Sequence, residues 1–252
     1  MERIFYRYLS SHSIETLKNC WFKVARPSKY WGDWSSTAAS DPLECKPQIL
    51  MDGQSPFLDR FGGDHKTFAD NFNKVFNAPK TMDSMVRILC LSDPLRHPGS
   101  DLHMWYRYAG KFSGVRIGIK LSVDEEGVCN LCRRFRGEYV EYAKLHNIIR
   151  ASDIVTQDEL SERCFNVIFK KDIKFKLESE YRLLTVHGYC KTNKGLDFLP
   201  LDNDMIVSVD IGFKMSRAEK TRLLRLCKRN FNLDSCREAR CAGRSVEYKD
   251  LN

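Results

Sequence analysis

The chain has 252 residues and a net charge of +8, from 41 Lys+Arg against 33 Asp+Glu, and its length suits one large domain or two small ones. Fifteen Phe, ten Tyr and four Trp argue against disorder, because that much aromatic surface can offset the entropy of ordering the chain. No apolar run approaches the ~18 residues that a membrane-spanning helix needs, and the basic excess favours anionic partners only modestly.

The first predicted element is a strand over Ile4 to Tyr8. Ile14, Leu17 and Cys20 then keep an i, i+3 rhythm, so Ser13 to Asn19 reads as a short helix. Trp21 to Ala25 returns to strand composition and stops at Pro27. Residues 26–64 are rich in Pro, Gly, Ser and Asp and read as a long irregular loop or lid. Lys66 to Phe76 carries Phe68, Phe72, Val75 and Phe76 on one helical face. Val86 to Leu91 is a short apolar run that reads as a buried strand, and Met104 to Ala109 as a turn or two of helix. Val115 to Leu121 alternates in the manner of a half-buried strand. Arg136 to Tyr142 predicts another strand. Thr156-x-x-Glu159 is a capping box opening a helix to about Lys170. Tyr181 to His187 and Met205 to Ile211 read as strands, and Ser216-x-x-Glu219 opens a C-terminal helix to about Arg229. The tail past Cys236 is polar and is expected to fray. Strands and helices do not alternate regularly. The expected fold is therefore α+β: one domain over 1–252, with a mixed or mainly antiparallel sheet and flanking helices.

The N-terminus lacks an apolar core and a small-residue cleavage site, so a cytoplasmic location is expected. The ten cysteines are then read as free thiols in a reducing compartment. Cys129 and Cys132 have C-x-x-C spacing, but no second pair at matching spacing completes a zinc set, and no metal is predicted. There is no phosphate-cradling P-loop, no G-x-G-x-x-G dinucleotide turn, no G-x-S-x-G elbow and no H-E-x-x-H.

Four features could carry chemistry. Glu178 and Glu180 lie two residues apart at the entry to a strand, so both should point to one side. Paired carboxylates in a cleft can divide acid and base roles. The ordinary reading is a solvated edge with Arg182 as salt-bridge partner. Trp105 and Tyr108 are spaced to share a helical face, which is more often core than ligand platform. Asp41 and Glu44, in Asp-Pro-Leu-Glu, mark a turn near the end of the long loop, where a lid could be anchored. The C-terminal helix, over 214–230, carries Lys214, Arg217, Arg222, Arg225 and Arg229. A solvated basic face is its usual meaning, and a phosphate-backbone contact the sharper one.

Taken in order, these motifs resemble a bacterial domain family of unknown function. Its members read F-N-D-P-F-E, C-F-S, M-W-x-x-Y-A-x-x-H-x-G and W-x-x-E-x-E-x-R. Here the counterparts are D-P-L-E, C-L-S, M-W-x-x-Y-A with a following glycine, and E-x-E-Y-R. The chain departs from that pattern at Gly32-Asp33-Trp34, at Phe112-Ser113 and at Phe175. The company such domains keep implies toxin or phage-defence roles.

More distantly, the layout is similar to NAD-consuming ADP-ribosyltransferases of the Arg–Ser–Glu class. That resemblance implies an ADP-ribosyltransferase-like fold. It implies that Arg7 binds the NAD phosphates or ribose, that Ser92 orders the pocket, that Glu180 is catalytic and that Glu178 positions the acceptor. Tyr6, Trp105 or Tyr108 would stack on nicotinamide or adenine. Cleavage of the nicotinamide–ribose bond builds an oxocarbenium-like cation, which a fixed carboxylate stabilises. The expected function is thus ADP-ribosyl transfer or NAD glycohydrolysis on a macromolecular target. The alternative is a nucleic-acid-binding or nuclease-like defence module without NAD chemistry, resting on the charge and the basic helix.

Overall fold

A computed structural model of the protein describes residues 1–10, 14–27, 47–50, 65–76, 84, 86–129, 135–144, 148–154, 156–233 and 236–251. Asp41, Glu44 and Cys132 lie outside them. The described elements begin with β1 (Glu2–Leu9), α1 (Ile14–Asn19), β2 (Trp21–Lys23), β3 (Gln48–Leu50), α2 (His65–Phe76), β4 (Val86–Ser92) and α3 (Ser100–Arg107). There follow β5 (Val115–Ser122), β6 (Phe135–Tyr139), β7 (Glu141–Ala143), β8 (Ile148–Arg150), α4 (Gln157–Val167) and β9 (Lys170–Asp172). The C-terminal part holds β10 (Glu180–Val186), β11 (Lys191–Asn193), β12 (Leu196–Pro200), β13 (Ile206–Gly212), α5 (Arg217–Phe231), β14 (Cys236–Ala242) and β15 (Ser245–Leu251). The architecture is α+β, built on a large mixed, mostly antiparallel sheet with flanking helices.

Contacts sort the chain into two compact units. The first holds residues 1–24, 89–139 and 176–252. Its eight-stranded sheet runs β15-β14-β13-β5-β1-β4-β10-β6. β13 and β14 pair in parallel, whereas β5 runs antiparallel to both β1 and β13, and β10 antiparallel to β6. Strand side chains alternate between faces, and residues opposite each other across a ladder share a face. One face therefore carries Phe5, Ile117, Ile119, Tyr181, Leu183, Val209 and Ile211, packed with Leu17 of α1 and Leu223, Leu226 and Cys227 of α5. The other carries Tyr8 and Ala239, packed against Met104 and Trp105 of α3.

α5 shows how sequence sets such an element. Its buried Leu223, Leu226, Cys227 and Phe231 recur at three- and four-residue spacing, leaving the arginines outside. Ser216 caps it, accepting a hydrogen bond from the Glu219 N–H, and Asn232 closes it in the left-handed region. Ser216→Ala is expected to cost about 1 kcal/mol, measurable as a lower midpoint in urea with an unchanged m-value. An unchanged midpoint would mean that tertiary packing alone starts the helix.

The second unit holds residues 25–88 and 140–175. Two short parallel ladders, β3 with β8 and β7 with β9, accompany α2 and α4. Ile49, Ala69, Ile149, Ile154, Leu160 and Cys164 form its core. The predicted capping box is reciprocated: Thr156 N–H donates to Glu159 Oε2 and Glu159 N–H to Thr156 Oγ1, both at 3.1 Å. Of the predicted apolar face of α2, Phe68 packs on this core, and the side chains of 72–76 lie outside the described residues.

Three expectations are corrected. The tail past Cys236 does not fray. β14 and β15 form a seven-pair antiparallel hairpin at the sheet edge, with its few inward residues enough to bury Cys236 and Ala239. The strand expected over 136–142 breaks at buried Val140, after which the Glu141 N–H bonds to Phe169 O and starts a different ladder. Gln48–Leu50, expected as irregular loop, is a strand too short for any period-2 pattern to show.

Candidate active site

The sheet order sets β1, β4 and β10 side by side. These are the strands that carry Arg7, Ser92 and Glu180. Tyr6 stands directly opposite Ser92 across β1 and β4. By alternation Tyr6, Ser92, Glu180 and Arg182 belong to the α3 face. Arg7 belongs with Phe5 on the other face, as Tyr181, whose ring stacks on Phe5 at 3.9 Å, does. The Arg7 guanidinium donates to the Cys90 carbonyl at 2.5 Å. Yet Arg7 and Glu180 meet at one residue: the Cys90 thiol hydrogen-bonds to Glu180, and the Arg7 charge acts on the same thiol. Alternation starts the two side chains from different faces, and Tyr6 takes the place directly beside Ser92.

The two glutamates reach one face by a route that strand alternation does not describe. Glu178 ends a turn of 3₁₀ helix, and Ser179 between them is left-handed, with φ 44°. Two hydrogen bonds pin this bend to the end of β4: Ser92 Oγ to Glu178 O and Asp93 N–H to Ser179 O, both at 2.8 Å. Ser92 is fully buried. Its role is to order the carboxylate segment.

The carboxylates then diverge. Glu180 receives the Arg182 guanidinium, Nε at 2.9 Å on one oxygen and Nη2 at 3.4 Å on the other. Arg182 is 0% exposed, so this is a buried ion pair and not the solvated edge that such a segment ordinarily forms. Burial, and then the Glu180 carboxylate, push the Cys90 thiol well above its ordinary range. Glu178 accepts a hydrogen bond from Tyr108 Oη at 2.7 Å and lies 3.5 Å from Arg107 Nε. His103 also faces it. Burial holds that imidazole below its usual pKa, Glu178 works in the opposite sense, and Arg107 adds to the lowering. Tyr108, Arg107 and His103 are each partly open to solvent, so Glu178 is the carboxylate with partners at the surface.

Trp105 and Tyr108 differ in burial: Trp105 lies in the core and Tyr108 is exposed. Trp105 is fully buried, parallel to Phe112 at 5.1 Å and edge-on to Tyr8 at 5.8 Å. Tyr108 caps the helix, still in right-handed helical geometry with its N–H on Met104 O, and its hydroxyl reaches Glu178; the chain then turns away through positive φ at Gly110, Lys111 and Phe112. Gly114 completes that turn, where a Cβ would collide with the Leu9 carbonyl. Stacking on a nucleotide is closed to Trp105.

A second polar network on the same face was not read from the sequence. Asp101, near the start of α3, accepts from Tyr8 Oη at 2.6 Å and Tyr248 Oη at 2.5 Å. Arg116 lies between the rings of Tyr6 and Tyr248, 4.3 and 4.1 Å from their centroids, and pairs with Asp210 at 2.7 Å and Asp101 at 3.2 Å. Burial opposes the Arg116 charge, but Asp210, Tyr8, Tyr248 and Asp101 outweigh it and hold the group charged. Arg237 adds a bond to the other Asp210 oxygen at 2.7 Å. A signal was present: Arg116 and Asp210 each interrupt an apolar strand, and a buried charge demands a partner.

Of the remaining candidates, Cys129 is buried and bonds through its backbone to Gly137. Arg222, Arg225 and Arg229 line one groove with Lys18, whereas Lys214 and Arg217 lie at the start of α5 outside its lining. No helix among the described residues is long and apolar enough to cross a membrane. No curated protein and no solved structure matches the chain. Residues 104–183, a stretch that opens on Met104 of M-W-x-x-Y-A and closes just after E-x-E-Y-R, match the model of a family described as a protein of unknown function, DUF2971.

Proposed function

We propose that the chain consumes NAD, passing ADP-ribose to a macromolecular acceptor or to water, with Glu178 as the reacting carboxylate. The observation that carries this reading is the adjacency of β1, β4 and β10, together with the Ser92 hydrogen bond that fixes the E-x-E bend. Glu178 takes the role first expected of Glu180, because Glu180 is already held by Arg182.

The chemistry suits the surroundings. As the bond from ribose C1′ to nicotinamide breaks, nicotinamide leaves with the electron pair and the sugar gains positive charge. A carboxylate in a site of low dielectric stabilises that charge as it develops. The acceptor's oxygen or nitrogen then bonds to C1′ and releases its proton. Tyr108 fixes the Glu178 carboxylate by hydrogen bonding. Arg107, beside Glu178, is a guanidinium that can meet a diphosphate through paired N–H donors.

Nicotinamide release from NAD, followed by chromatography with and without cell lysate, tests the reading. Glu178→Gln keeps a hydrogen-bond acceptor for Tyr108 but removes the charge. It is expected to lower release by about 10²-fold or more with the melting temperature nearly unchanged. Absence of both nicotinamide release and ADP-ribose transfer by the unaltered chain sinks the proposal.

A further inference from the structure

The outer face of α5 has no part in the site above. It borders a groove of about 510 Å³ lined by Lys18, Ala218, Thr221, Arg222, Arg225, Leu226 and Arg229. We infer that this groove binds the phosphate backbone of a nucleic acid.

The helix is a fixed platform, because its inner residues are locked into the core beneath the sheet. Arg222, Arg225 and Arg229 stand at i, i+3 and i+7, so they form a line about 10 Å long at 1.5 Å per residue. Lys18 adds a cation from α1. Among the described residues one carboxylate pairs with them: Glu15, at 2.6 Å from Arg222 and 3.7 Å from Lys18. Arg229 bonds only to the neutral Asn230, at 3.1 Å, and Arg225 has no partner among the described residues. Four cations facing one carboxylate keep a strong positive field in a concave space.

Guanidinium groups match phosphate through paired N–H donors. A row of three along one helix face suits a polymer with regularly repeating anions better than a single small ligand. Leu226 and Ala218 add apolar lining against which sugar or base edges can pack. The groove's lining includes no aromatic platform for stacking, so binding is read as electrostatic and indifferent to sequence.

The test uses the whole chain without NAD, so its failure leaves the glycosyl-transfer reading standing. A fluorescein-labelled 20-nucleotide RNA, the same DNA strand and its duplex serve as probes by anisotropy. With four phosphates contacted, log K should fall against log salt with a slope of about −3 for the single strands. Arg222→Gln/Arg225→Gln/Arg229→Gln should weaken binding by more than about tenfold near 0.1 M salt and bring the slope to about −1. Lys249→Gln, on β15, should change neither. Stronger binding of RNA or of duplex would name the physiological form. No binding at low salt, or an unchanged slope in the triple variant, overturns the inference. So does equal, arginine-dependent binding of labelled poly-glutamate, which would mark the groove as a site for acidic protein.

Discussion

Glu180→Gln is expected to destabilise the chain by about 3–5 kcal/mol and to lower its melting temperature by about 6–20 °C for a protein of this size. Arg182 has no exposed surface and holds both Glu180 oxygens. Removing the negative charge takes from a buried guanidinium the carboxylate that balances it, in a medium where hydration cannot replace it. The neutral amide offers one acceptor oxygen, and its NH₂ group would point at other donors. Attraction across a buried pair largely offsets the desolvation of both ions, so the pair itself adds little, whereas half of it is costly. Glu180→Gln/Arg182→Met should therefore recover much of the loss. Calorimetry of both variants checks this. A Glu180→Gln chain that melts like the parent but releases no nicotinamide would return the reacting role to Glu180 and make Glu178 its neighbour.

That contrast shows what the sequence could and could not reveal. Two carboxylates separated by one residue were visible, and so was their entry into a strand. Which of them is locked depends on Arg182 sharing a strand face with Glu180, and on the left-handed Ser179 that turns Glu178 toward α3. Most strands and helices were legible from their apolar residues: the buried positions of α5 recur every three to four residues, and β4 and β5 are short runs buried almost throughout. The β14–β15 hairpin was not, because an edge hairpin needs few buried residues and its polar outer face looks like a tail. The face of Arg7 was not legible for a related reason. Tyr6, Arg7 and Tyr8 are consecutive, and without the register of β1 against β4 and β5 nothing says which of them faces α3.

Asp210→Asn is expected to cost about 3 kcal/mol or more, from the same cause in a different network. Asp210 is fully buried and bonds Arg116 through one oxygen and Arg237 through the other. With Asp210 neutral, Arg116 keeps only Asp101 at 3.2 Å and the faces of Tyr6 and Tyr248. Asp101 already receives the Tyr8 and Tyr248 hydroxyls, so it cannot move to compensate without giving up those bonds. Burial raises the pKa of both phenols. Folding therefore favours their protonated forms. The stability they contribute is fully present below the unfolded tyrosine pKa of about 10 and is lost as pH climbs beyond it toward their folded values. Asp210→Asn should accordingly melt lower at pH 7 and unfold at less alkaline pH than the parent. The damage should extend to the candidate site, because α3 is tied at its start to Asp101's partners and just past its end, through Tyr108, to Glu178. Faster amide exchange in α3 of Asp210→Asn, with α5 unaffected, is the expected signature. Uniform acceleration across both helices would mean that Asp210 supports the whole sheet and does not specifically position α3.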